Sequence, residues 1–99
     1  MKRRLENKED MALLTYYKAF RTQVLMSLLH RGTHDAGSRK DKWEKKFRNI
    51  AIFDDYAMTD MNFRDLSKKY KISHDRCRQV FYNNLRISKH IIRRILEVD

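Results

Sequence analysis

The sequence predicts an all-α protein: one small helical domain of about four helices, closing with a helix-turn-helix and a long final helix. Three observations predict it. The chain has no proline and only two glycines, Gly32 and Gly37, both in one stretch, so little interrupts helix elsewhere. Apolar residues recur at intervals of three and four, the period of a helix that buries one face. The segment Asn62–Arg86 reads as a short helix, a tight turn and a second helix opening at Ser73, with a basic, amide-rich face.

The first helix is predicted over about residues 8–31, where Leu13, Tyr17, Phe20, Val24 and Leu28 share one face. Leu14, Leu25 and Leu29 widen that face. They are either further core or a surface for a second copy or a partner protein. Gly32 fits the left-handed position that ends a helix. Residues 33–40 form the one obvious linker.

The second part, 42–97, carries three helices. Asp41 with Glu44 matches a capping box, and Trp43, Phe47, Ile50 and Ala51 supply an apolar stripe that ends near 56–59. Asn62 is placed to cap the third helix, with Phe63, Leu66 and Tyr70 turned to the core. Ser73 is placed to cap the fourth, where Cys77, Val80, Phe81, Leu85, Ile91, Ile92 and Ile95 face inward.

Ninety-nine residues make a single domain, 1–99, with one modest core. The formal charge is +10, which predicts an anionic partner. The excess is local: residues 62–94 hold 10 Lys/Arg against 2 Asp/Glu, whereas residues 1–61 hold 13 against 9. No apolar run approaches the roughly 18 residues of a membrane span. The basic start, Met1-Lys2-Arg3-Arg4, precedes no apolar signal segment, so a cytoplasmic location is expected. One cysteine, Cys77, excludes an internal disulfide and sits at an apolar position, as a buried structural thiol would.

On the fourth helix Asp75, Arg78, Tyr82, Arg86, Lys89 and Arg93 recur at helical spacing opposite the apolar stripe, with Gln79 beside them. Such a stripe is most often a solvated face. Here it starts at a helix N-terminus, whose free N–H groups and positive dipole suit a phosphate. Arginine can bond guanine O6 and N7, and glutamine can bond adenine N6 and N7. Arg86 and Lys89, further along, fit phosphate contacts.

The segment L-S-K-K-Y-K-I-S-H-D-R-C-R-Q-V-F-Y-N-N-L-R resembles region 4 of bacterial sigma factors, the module that binds the −35 promoter element. The shared pattern is I-S-x-x-R-x-R-Q followed by an apolar residue and L-R. It covers about a quarter of the chain tightly. The resemblance implies base contacts by His74, Asp75, Arg78 and Gln79. It implies backbone contacts by Ser73 and Arg76, to which Lys71, Tyr82, Arg86 and Lys89 are added as neighbours.

Two positions depart from the pattern: Lys71 stands where the turn glycine is usual, and His74 where arginine is usual. Ninety-nine residues leave no room for a sigma factor's −10-binding and promoter-melting domain. The expectation is therefore a phage- or plasmid-type module. The segments R-N-I-A-I-F-D-D-Y and L-S-K-K-Y-K-I-S are also similar to the middle-operon activators of Mu-like phages, which are dimers with a helical N-terminal part.

No catalytic constellation is recognisable. His30 and His34, with Asp35, lack a third and fourth metal ligand, so neither a metal nor a cofactor is expected. Asp54, Asp55 and Asp60 lack the partners of a two-carboxylate nuclease and read as turn-forming and solvated. Three functions follow from these residues. The first is a sequence-specific transcription regulator on double-stranded DNA, reading the major groove with residues 74–95. The second is a factor docking on RNA polymerase or a sigma factor. The third is a non-specific nucleic-acid binder.

Overall fold

The computed structural model describes residues 8–30 and 40–97, and the side chains of 9–30 and 44–97. Gly32, the linker, His34, Asp35 and the capping partner Asp41 therefore lie outside the described side chains, as does Trp43. The described residues form five helices and no strand: α1 (Lys8–Ala19), α2 (Arg21–His30), α3 (Lys40–Met58), α4 (Phe63–Tyr70) and α5 (His74–Glu97).

The predicted first helix is thus two. The helical pattern lapses at Phe20, although Phe20 N–H still reaches the Tyr16 carbonyl at 2.9 Å and Val24 N–H reaches that of Phe20 at 3.0 Å. The lapse lies between Tyr17 and Arg21, which both bond to Asp54 of α3. It allows α1 and α2 each to pack on α5 and on α3. Leu14, Tyr17, Val24 and Leu28 are consequently buried, with Leu25 and Leu29 partly buried against them. This corrects the reading of Leu14 as partner surface, since it belongs to the domain's own core, whereas Leu25 and Leu29 pack on that core and keep part of their surface accessible.

Helix α3 packs against every other described helix, so it buries more than one stripe. Ile52 and Phe53 are wholly buried, and Tyr56 and Ala57 nearly so. Phe47, assigned by period to the stripe, is instead 51% exposed. Phe81 of α5 anchors the aromatic centre, with ring centroids 5.5 Å from Phe53, 4.4 Å from Tyr56 and 5.7 Å from Phe63. Ring contacts of this kind add directional preference to the burial term.

The two consecutive aspartates of α3 tie both halves together. Arg21 donates to both Asp54 oxygens, at 2.8 and 2.7 Å, and the Tyr17 hydroxyl donates to Oδ1. Asp55 Oδ2 accepts from Tyr70 at 2.6 Å and from Lys69 Nζ at 2.8 Å. Burial, followed by the Asp54 carboxylate, pushes the Tyr17 phenol far above its ordinary range. The Arg21 hydrogen bonds, against burial, hold Asp54 below its ordinary value. The expectation of turn-forming, solvated aspartates is therefore corrected for Asp54 and Asp55. They lie inside a helix, half-buried and bonded.

Candidate nucleic-acid interface

Local chemistry fixes the start of each helix in the 62–97 segment. Asn62 Oδ1 accepts the Asp65 N–H at 2.9 Å, and Asp65 Oδ2 accepts the Asn62 N–H at 3.1 Å, a complete capping box. Ser73 Oγ accepts the Arg76 N–H at 3.0 Å at the start of α5. Between the helices lies a three-residue turn in which Lys71 takes φ 58° and ψ 44°. Lys71 and Ile72 both donate their N–H to the Ser67 carbonyl, closing the end of α4. A left-handed turn is thus made without the usual glycine.

The turn delivers the first two turns of α5 to the surface. His74, Asp75, Arg78 and Gln79 are all exposed, the Asp75 side chain to 89% and the His74 side chain to 58%. The His74 ring meets Phe63 edge-on at 5.9 Å, which anchors it against α4. Gln79 Oε1 lies 3.5 Å from Arg76 Nη1, so the two side chains form an i, i+3 pair. Beneath this row Cys77 is wholly buried, and burial pushes its thiol up while the nearby Arg48 charge opposes the shift. The four residues expected to read bases therefore share one accessible end of one helix.

The expected backbone contacts divide. Lys71, Ser73 and Arg76 are exposed around the same end, and Arg86 is exposed at the middle of the helix. Tyr82 is half-buried, its ring packed on Phe81 at 5.1 Å. Lys89 lies further along the helix, its side chain 33% exposed and its Nζ 3.3 Å from Glu9 Oε2 of α1, a pair that ties α5 to α1.

No family model, curated protein or solved structure matches this chain. Among the described residues, no three His, Cys, Asp or Glu side chains gather as a metal site, and no helix is long and apolar enough to cross a membrane.

Sequence reasoning passed over one group. Lys45, Lys46 and Asn49 of α3 come beside Asn83 and Asn84 of α5, along a cleft of about 410 Å³. A continuation of about 260 Å³ adds Arg76 and Gln79. The cluster K-W-E-K-K-F-R-N was the available signal. Nothing in the period of α3 shows that it lies beside α5.

Proposed function

We propose that the protein is a sequence-specific DNA-binding transcription regulator that lays the N-terminal turns of α5 in the major groove. One observation carries the reading. His74, Asp75, Arg78 and Gln79 stand exposed together at the capped start of a helix, on the most basic stretch of the chain. Arginine and glutamine are the side chains that pair bidentately with guanine and adenine, and aspartate accepts from the cytosine amino group. Lys71, Arg76 and Arg86 supply charge for the phosphates on either side. The likeness of 66–86 to sigma region 4 supports the same placement and a phage- or plasmid-type regulator acting in the cytoplasm. The protein is read as a binder and not as an enzyme.

A second reading, docking on RNA polymerase or a sigma factor, is favoured by a hollow between α1 and the end of α5. Leu13, Tyr16, Ile92 and Leu96 line it, with Glu9, Lys89, Arg93 and Glu97 around them, and Tyr16 and Leu96 are 42% and 49% exposed. Such apolar surface suits a protein partner, including a second copy of the chain.

Selection of random duplex DNA on the purified protein near physiological salt tests the first reading. An enriched motif bound about a thousandfold more tightly than random DNA is the expected result. Arg78→Ala with Gln79→Ala should abolish that preference and leave residual, salt-sensitive binding. Equal loss on every sequence would count against base contacts by these two residues.

A further inference from the structure

We infer that the cleft between α3 and α5 is a phosphate-binding track, which seats the sugar-phosphate backbone of the duplex strand that passes beside Gln79. The inference rests on the DNA reading above and adds to it a second helix, α3, that the helix-turn-helix alone does not supply.

Charge is the first argument. The two adjoining parts of the cleft, which share Asn49, Asn83 and Asn84, are lined by Lys45, Lys46 and Arg76, and no carboxylate is among their described lining residues. The polarity of its amides is the second. Asn49 Oδ1 accepts from Arg48 Nη2 at 3.1 Å and Nε at 3.3 Å. Asn83 Oδ1 accepts from Arg86 Nη2 at 2.7 Å, and Gln79 Oε1 lies 3.5 Å from Arg76 Nη1. A carboxamide offers one accepting oxygen and one donating NH2. In all three the oxygen is directed to an arginine, which leaves the NH2 as the unused group. Asn84 differs, because its Nδ2 donates to the Val80 carbonyl at 3.0 Å. Three ammonium or guanidinium groups and the amide donors of Asn49 and Asn83 thus border a trough that Leu28, Ile50 and Ile87 also line, with no acid among its described lining residues. Such a lining suits an anion rich in acceptor oxygens.

Position selects the anion. Arg76 and Gln79 belong both to the cleft and to the exposed start of α5. A strand whose base edge meets Gln79 carries its phosphates at the rim of the same groove, about 10 Å away, and the trough runs from Gln79 past Asn83 to Lys45 and Lys46. The cleft is an open trough, a shape that admits a polymer backbone as well as a single anion. The partner is therefore the backbone of the same duplex.

Lys45→Ala with Lys46→Ala, compared with wild type on both selected and random duplex over a range of salt, separates the possibilities. Each lysine that neutralises a phosphate contributes about one to the slope of log K against log salt, so the slope should fall by about two. Affinity should drop equally on both duplexes, about tenfold or more at low salt, and the ratio between them should hold. Asn83→Asp, which places a carboxylate in the trough at an exposed position, should weaken both duplexes similarly. A thermal melt unchanged in each variant excludes unfolding as the cause. If wild type binds DNA but neither the slope nor the affinity moves, the cleft is not a phosphate track and the reading of α5 stands. If only the selected sequence is lost, the lysines touch bases and the inference fails. If wild type binds no duplex at all, both readings fall together.

Discussion

At the scale of single residues, Lys71 shows how far a turn can be specified without its best residue. A left-handed conformation costs a residue with a Cβ about 1–2 kcal/mol. The turn is retained because Asn62 and Ser73 fix the helices on either side and two N–H groups close on Ser67. Lys71→Gly should therefore stabilise the fold by about 0.5–1 kcal/mol, after the larger chain entropy of glycine is subtracted. For a domain this size that means a rise in melting temperature of a few degrees. A melt at or below that of wild type would show that the turn is not strained. The lysine is also a phosphate contact in the proposed complex, so the same variant should bind DNA more weakly while melting higher. Opposite shifts in two measurements are hard to produce by general loosening.

At the scale of elements, Asp54 and Asp55 determine how the helices are joined. Both stand on α3, yet Asp54 faces α1 and α2 while Asp55 faces α4. Asp54→Ala would leave the buried Tyr17 hydroxyl without its acceptor and Arg21 without its pair, for a loss of about 2–3 kcal/mol at neutral pH. Asp54→Asn retains an oxygen for Tyr17 and should cost about half as much, since the Arg21 side chain is 45% exposed and its pairing is screened. The pH dependence follows from the sign of the shift. Asp54 is held below its ordinary value of 3.8, so its contribution is complete above that pH and is lost as the pH falls through the lower, folded value. Urea titrations at several pH values below about 4 should show a shallower acid loss for Asp54→Asn than for wild type. Parallel curves would mean that the carboxylate is not ionised in that bond.

The backbone extends over 37 × 36 × 17 Å along its principal axes, a slab about two helix layers thick. In so thin a body the N-terminal helices form much of the cover for α5. Leu14 is 9% exposed and belongs to that cover. Leu14→Ala is expected to lower stability by about 2–4 kcal/mol in urea or thermal unfolding, as a core truncation does. An unchanged midpoint would return Leu14 to the surface and revive it as a contact for a partner. The exposed apolar residues left over, such as Tyr16, Met11 and Leu96, are where a polymerase, a sigma factor or a second copy would be sought.

What the sequence determined by itself is what neighbours along the chain can settle. Helix period, the caps at Asn62 and Ser73, and the exposed row from His74 to Gln79 depend on residues within about one or two turns of each other. These were legible, and so was the concentration of charge on residues 62–94. What only the tertiary structure decided depends on residues distant in sequence. Asp54 meets Tyr17 across 37 positions and Asp55 meets Tyr70 across 15. Lys89 is taken by Glu9, and Leu14 by the core. Period marks a helix face as apolar or charged but does not say which element will cover it. For α3, packed against four helices, a single stripe could not predict that Phe53 is buried and Phe47 exposed. The cleft beside Gln79 follows the same rule, because its donors come from two helices that only folding brings together.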